Sequence, residues 1–106
     1  MKRVIVRYTV KPGLAEANEE LIRAVYGELE ERRPDGLRYA TFRLDDGLSF
    51  VHIAQVEGEA NPLTELPAFR AFVEGIGERC EQPPVSSGLA EIGSFRLFSS
   101  IEEEAH

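Results

Sequence analysis

The segment Asp45-Asp46-Gly47 constrains the fold of this chain more than any other stretch of its sequence. It separates residues 37–44 from residues 48–56, two segments in which β-branched and aromatic side chains alternate with others. An Asp-Gly pair between alternating segments is typical of the tight turn of a β-hairpin. We therefore predict two antiparallel strands, with Asp46 and Gly47 as the central turn residues.

The rest of the chain is predicted to supply two more strands and two helices. Residues 4–10 are rich in β-branched residues, as strands are, and residues 93–98 predict the last strand. Apolar residues at helical spacing predict helices over residues 14–33 and about 67–80. The first stripe comprises Leu14, Ala17, Leu21, Val25 and Leu29. The order βαββαβ predicts one α+β domain over residues 1–106, ferredoxin-like, with a four-stranded antiparallel sheet and both helices on one face.

Counting outward from the turn pairs Thr41 with His52 and Arg43 with Phe50, and it sorts the residues into two faces. The apolar face, predicted to lie under the helices, comprises Ala40, Phe42, Leu44, Val51, Ile53, Val4, Val6, Tyr8 and Val10. The mixed face comprises Tyr39, Thr41, Arg43, Phe50, His52, Ala54, Ile5, Arg7 and Thr9. We expect a second copy of the chain to cover the mixed face and to enclose a pocket for a small apolar or aromatic ligand.

The mixed face supplies the candidate site residues. His52 is a candidate general base because the unperturbed pKa of histidine lies close to neutral pH, and Arg43 is a candidate anion stabiliser. The candidate substrate-binding residues are Arg7, Thr9, Tyr39, Thr41 and Phe50. The alternatives are structural: Thr41 satisfies His52 by hydrogen bonding, the arginines form salt bridges, and the aromatic residues pack at an interface.

Composition and charge exclude several classes of function. The formal net charge of −7 argues against a nucleic-acid partner and against docking on anionic lipid. No apolar run is long enough to span a membrane, and the first residues do not resemble a signal peptide, so a cytoplasmic location is expected. The single cysteine, Cys80, is expected to be a reduced thiol. No spacing of His, Cys or Asp residues indicates a metal site, and no cofactor is expected.

The order of elements, with Gly93-Ser94-Phe95-Arg96 in the last predicted strand, resembles the dimeric α/β-barrel superfamily. The stretches 61–69, 78–80 and 83–85 are similar to those of antibiotic-biosynthesis-monooxygenase-like proteins in that superfamily. The resemblance implies a homodimer with a pocket between sheet and helices. Relatives include cofactor-independent oxygenases of polycyclic aromatic compounds, which use an Asn, Trp and Tyr/Arg set, and haem-degrading enzymes. This chain contains no Trp, so that set cannot be carried over to it.

Three hypotheses about function follow. The first is a cofactor-independent monooxygenase acting on a small aromatic or polyketide-like compound. The second is a non-catalytic dimer that binds a small ligand or has a stress-related role. The third is a structural dimer in which packing consumes the mixed face.

Overall fold

The computed structural model describes residues 1–97, which form one four-stranded antiparallel sheet with helices on one face. The strands are β1 (Lys2–Val10), β2 (Leu37–Arg43), β3 (Ser49–Val56) and β4 (Cys80–Gly88). The helices are α1 (Ala15–Arg32), α2 (Pro67–Glu74) and α3 (Ile76–Arg79), with a 3₁₀ turn at Pro62–Glu65 before α2. The strand order across the sheet is β2-β3-β1-β4. The predicted α+β, ferredoxin-like class is confirmed.

The predicted hairpin register is also confirmed, but the turn centre is not: the Gly47 N–H donates to the Leu44 carbonyl over 3.0 Å, which makes Asp45 and Asp46 the central turn residues. Thr41 pairs with His52, and Arg43 pairs with Phe50. Gly47 has a φ of 75°, a backbone conformation that favours glycine. The Asp46 carboxylate accepts hydrogen bonds from the backbone N–H groups of Leu48 and Ser49 and from the Ser49 hydroxyl. The turn is therefore closed by its own side chain, which fixes the strands relative to each other.

The prediction of which hairpin face the helices cover is wrong. β1 pairs Val6 with His52 and Tyr8 with Phe50, so these four side chains share a face, and Phe72 of α2 packs on Tyr8. The covered face therefore includes Val6, Tyr8, Val10, Tyr39, Thr41, Phe50, His52 and Ala54. Ala40, Phe42, Val51 and Ile53 lie on the opposite face, together with Ile5, Arg7 and Thr9. Burying the polar groups is tolerated because they bond to one another and to groups on the helices.

The buried stripe of α1 is rotated relative to the predicted one. Ala15, Asn18, Ile22 and Val25 are buried, whereas Ala17 is exposed. A pattern based on hydrophobicity does not count Asn18, although it occupies a buried helical position four residues before Ile22. The inward-facing side of α1 thus carries a polar amide into the interior.

The second predicted helix is interrupted near its end. α2 ends at Glu74, and Ile76–Arg79 forms a separate short turn before β4 begins at Cys80. Gly75 and Gly77 account for the break, because glycine has a low helix propensity. A Cβ atom at residue 75 would lie 3.0 Å from a guanidinium nitrogen of Arg79. Glycine therefore leaves room for the arginine to turn back toward α2.

The last strand was predicted at the wrong place. β4 covers Cys80–Gly88 and pairs with β1, while residues 93–97 do not form a strand and Phe98 lies outside the described residues. Pro83 and Pro84 suggest a chain break in the sequence, but an edge strand tolerates prolines because its outer N–H groups need no partner. Within residues 1–97, no helix has the length and apolar character needed to cross a membrane.

Candidate functional site

His52 lies at the centre of a hydrogen-bonded group beneath the helices. Its side chain is buried, with the residue 6% exposed. The ring atom Nε2 lies 2.8 Å from the Tyr8 hydroxyl, and Nδ1 lies 2.7 Å from the Tyr39 hydroxyl and 3.2 Å from the Thr41 hydroxyl. Both ring nitrogens are therefore engaged by neutral hydroxyl groups on the covered face.

The hydrogen bonds continue from Tyr8 to the end of α3. The Asn18 amide nitrogen donates to the Tyr8 hydroxyl over 2.9 Å, and Arg79 Nε donates to the Asn18 carbonyl oxygen over 2.9 Å. Arg79 also donates to the backbone carbonyl of Phe72 over 2.8 Å, and its guanidinium lies 5.2 Å from the centre of the Phe72 ring. The arginine is thus held at one end of the chain of bonds.

Tyr26 of α1 connects the other end to the protein surface. Its hydroxyl lies 2.8 Å from the Thr41 hydroxyl, and its ring stacks on that of Tyr39 with centroids 5.3 Å apart. We call the connected side chains the polar network. They are Arg79, Asn18, Tyr8, His52, Tyr39, Thr41 and Tyr26. No buried side-chain nitrogen or oxygen within residues 1–97 is left without a partner.

Burial keeps the network uncharged between Asn18 and Tyr26. It lowers the pKa of His52 to about 4 and raises the pKa of Tyr8 to about 12. Burial also raises the pKa of Tyr39 and that of Tyr26. At neutral pH the imidazole is therefore neutral, and the three tyrosines are protonated and able to donate hydrogen bonds.

A cleft of about 290 Å³ opens beside the network, between α1 and the hairpin. Its lining residues are Glu19, Ile22, Arg23, Tyr26, Thr41, Arg43 and Phe50. We call it the Thr41 cleft, because Thr41 bonds to His52 and also lines the opening. A second cleft of about 440 Å³, the Pro34 cleft, lies between the end of α1 and the start of β2. Tyr26 lines both clefts.

The structure brings four of the predicted site residues together: Tyr39, Thr41, Phe50 and His52. Arg43 lies at the rim of the Thr41 cleft, where its guanidinium bonds to Glu19 over 2.9 Å and to the Gly47 carbonyl. Its guanidinium carbon lies 5.8 Å from the centre of the Phe50 ring.

Arg7 and Thr9 lie on the opposite face of the sheet from His52, because residues 7 and 9 of β1 alternate with Tyr8. The Thr9 hydroxyl lies 2.8 Å from that of Ser49. Neither residue lines the Thr41 cleft. Arg7 and Thr9 were predicted to share a face with His52, but the pairing of β1 with β3 places Val6 and Tyr8 on that face instead.

Sequence reasoning missed four members of the network. Tyr8 was assigned to an apolar face, and Tyr26, Asn18 and Arg79 were not singled out. The available signal was the position of Asn18, which shares the inward-facing side of α1 with Ile22 and Val25. A polar residue at a buried helical position requires a hydrogen-bond partner and so indicates a polar group beneath the helix.

The fold is shared with several solved structures. A candidate antibiotic biosynthesis monooxygenase from Nitrosomonas europaea superposes with a TM-score of 0.73 at 20% identity, over 88% of this chain and 100% of that one. PA3566 from Pseudomonas aeruginosa gives 0.70 at 22% identity, over 87% and 94% of the two chains. A variant of SnoaB, a cofactor-independent oxygenase from Streptomyces nogalater, gives 0.65 at 17% identity, over 90% and 96%.

These likenesses confirm the predicted fold, which is that of proteins named antibiotic biosynthesis monooxygenases. No protein-family model and no curated protein sequence matches the chain. Within residues 1–97, no three His, Cys, Asp or Glu side chains are grouped as metal ligands would be.

Proposed function

We propose that this protein binds a small, flat aromatic or polyketide-like compound in the Thr41 cleft and oxidises it with dioxygen, without a cofactor. The observation that carries the proposal is the buried, uncharged polar network that reaches this cleft through the hydroxyls of Thr41 and Tyr26. Phe50 and Ile22 add apolar walls to the same opening. Apolar walls with a few convergent polar groups are typical of small-ligand sites. The shared fold with a cofactor-independent oxygenase supports the reaction class.

The chemistry requires a substrate that reacts with dioxygen as its anion. The Thr41 and Tyr26 hydroxyls are bonded to each other over 2.8 Å, so one of them donates within the pair and the other donates to a developing enolate or phenolate oxygen, while the released proton passes to water at the cleft mouth. A ring methylene then becomes a carbonyl with one oxygen atom of O₂, and its two hydrogens leave with the other oxygen as water. The four electrons lost by the substrate carbon reduce one molecule of dioxygen, so no further reductant is needed.

His52 has a different role in this proposal from that of the predicted general base. Its two ring nitrogens are already bonded to protein hydroxyls, and its pKa of about 4 makes it a weak base at neutral pH. We assign it the role of orienting the hydroxyls of Thr41 and Tyr39. Arg43 stays a candidate anion stabiliser at the cleft rim, where Glu16 and Glu19 offset part of its charge.

Oxygen consumption with a panel of tricyclic aromatic ketones that carry a ring methylene tests this function. Thr41→Val removes the cleft hydroxyl at nearly constant volume and should lower turnover at least tenfold. Thr9→Val makes the same change on the opposite sheet face and should leave turnover unchanged. The proposal fails if the unsubstituted protein consumes dioxygen no faster than the spontaneous oxidation of every compound in the panel.

A non-catalytic ligand-binding role is the alternative, and one observation favours it. The pKa shifts of His52, Tyr8 and Tyr39 leave these network groups without a titration near neutral pH, where a general acid or base works best. This alternative predicts that a panel compound raises the melting temperature without turnover. The absence of any such shift across the panel would count against it.

We also propose that a second copy of the chain covers the sheet face opposite the helices, which we call the open face. That face carries the partly exposed apolar side chains of Ile5, Val51 and Ile53, and Val85 is 66% exposed. An exposed apolar surface of this kind is typical of an interface. Leu89, Ile92, Phe95 and Leu97, in the segment that follows β4, are also exposed and would be covered in a dimer.

Sedimentation tests the dimer. The unsubstituted protein should sediment as a dimer at micromolar concentration, and Val85→Asp should shift it toward the monomer. Val73→Asp is the matched control, because Val73 is exposed on α2, away from the open face. A monomer at micromolar concentration for the unsubstituted protein would refute this assembly.

A further inference from the structure

We propose that Asn18 and Arg79 are positioning residues that hold the proton of His52 on Nδ1, so that the polar network donates its hydrogen bonds toward the cleft. The tautomer follows from the geometry alone. Its use in holding a ligand oxygen rests on the proposed function.

Arg79 determines which atoms of the polar network donate hydrogen bonds and which accept them. A guanidinium group has donors and no acceptor, so the atom of Asn18 that lies 2.9 Å from Arg79 Nε must be the amide oxygen. The amide nitrogen of Asn18 then points at the Tyr8 hydroxyl and donates to it. The arginine itself is anchored by the backbone carbonyl of Phe72. The orientation of the amide is therefore fixed by a partner that can only donate.

Tyr8 in turn determines that His52 Nε2 accepts a hydrogen bond. Its hydroxyl oxygen accepts from Asn18, and its own proton needs an acceptor because the residue is only 2% exposed. His52 Nε2, at 2.8 Å, is that acceptor. If Nε2 carried a proton instead, the Tyr8 oxygen would face two donors and its own hydrogen would be buried without a partner. Such a group costs about 1–3 kcal/mol.

An unprotonated Nε2 in a neutral imidazole places the hydrogen on Nδ1. Nδ1–H then donates to the Tyr39 hydroxyl over 2.7 Å, with the Thr41 hydroxyl at 3.2 Å. The Tyr39 hydroxyl, having accepted this bond, directs its own proton away from the ring. In the opposite tautomer Nδ1 would accept a proton from one of these hydroxyls, and one donor fewer would remain for the clefts that Tyr39 and Thr41 line.

Nitrogen NMR of imidazole-labelled protein tests the tautomer directly. Long-range proton–nitrogen correlations distinguish a protonated ring nitrogen from an unprotonated one, and His106→Gln identifies the signals of His52, since the chain has two histidines. We expect a protonated Nδ1 and an unprotonated Nε2 at neutral pH. A protonated Nε2, or equal populations of the two forms, would overturn the inference.

Asn18→Asp tests whether residue 18 sets the tautomer. An aspartate keeps the shape and the contact to Arg79 but offers Tyr8 an acceptor in place of a donor. Tyr8 must then donate to residue 18 and accept from His52, so the proton should move from Nδ1 to Nε2. Asn61→Asp is the control, because Asn61 caps the 3₁₀ turn through its side-chain oxygen and does not contact the network. An unchanged tautomer in folded Asn18→Asp would refute the positioning role.

Arg79→Gln provides the second variant, because a glutamine side chain has both a donor and an acceptor and so no longer fixes which way the Asn18 amide points. Loss of the strong preference for Nδ1–H is the expected result whether or not Asn18→Asp folds, and a preference that persists in Arg79→Gln would refute the role of Arg79 in setting the direction of the network. The inference and the proposed function fail separately. If Nδ1 is protonated but no oxygen is consumed, the proposed oxidation is refuted and the inference about the tautomer stands. If the protein turns over a substrate while Nε2 is protonated, the inference is refuted and the proposed function stands.

Discussion

Acidification should destabilise the folded protein through His52. Burial lowers the pKa of His52 to about 4, whereas the ordinary value is 6.5. Between these two pH values the unfolded chain binds a proton at residue 52 and the folded chain does not, so the free energy of unfolding falls as the pH falls. The steepest slope is about 1.4 kcal/mol per pH unit, and the total over the interval is about 3 kcal/mol. Below about pH 4 this contribution should level off.

Urea unfolding followed by circular dichroism measures this effect, because the chain contains no tryptophan for fluorescence. With a slope of about 1.5 kcal/mol per molar urea, a loss of 3 kcal/mol lowers the midpoint by about 2 M. Protein concentration must be held constant, since a dimer would make the midpoint depend on it.

The control is His52→Gln, which cannot titrate and whose amide oxygen can accept a hydrogen bond from Tyr8. The carboxyl groups of Glu19 and Asp46, whose pKa values hydrogen bonds lower, titrate equally in both proteins and cancel in the difference. Equal dependence of stability on pH in the two proteins between about pH 6.5 and 4 would refute the assignment to His52.

Three further predictions concern stability, each measured by urea unfolding at neutral pH. Tyr8→Phe should cost about 2–4 kcal/mol, because it leaves one buried donor and His52 Nε2 without a partner; a cost below 0.5 kcal/mol would contradict the network. Arg43→Gln should cost less than about 1 kcal/mol, because its ion pairs are solvent-exposed. Gly47→Ala should cost about 1 kcal/mol because residue 47 has a positive φ. Gly27→Ala is the contrasting control: residue 27 lies within α1 with open space around it, so this change should stabilise the protein by up to about 1 kcal/mol.

The hairpin was predictable because its information is local. Asp46 and Gly47 determine the turn, and the turn determines every pairing out to Tyr39 with Ala54. The covered face was not predictable in the same way, because it depends on the register between β1 and β3, which are far apart in sequence. Hydrophobicity alone then selected the wrong hairpin face, since the polar groups around His52 are satisfied by one another and this allows their face to be buried.

The site was predictable where its residues lie on the hairpin and not where they come from elsewhere. Thr41, Phe50 and His52 follow from the alternation of one known strand pair. Asn18 and Arg79 reach the network from α1 and α3, and the Asn18 to Arg79 bond joins residues 61 positions apart. No periodicity within either helix specifies that meeting, because it exists only after the helices have packed on the sheet.

The position of Tyr26 between the two clefts has a consequence for the length of a ligand. With the ring stacked on Tyr39, the Thr41 cleft and the Pro34 cleft are separate spaces of about 290 and 440 Å³, which would limit the size of a ligand in either one. If the Tyr26 ring swung outward, the compartments would merge into one groove along the edge strand β2. A single side-chain rotation would then determine whether the protein binds a short, compact ligand or an elongated one.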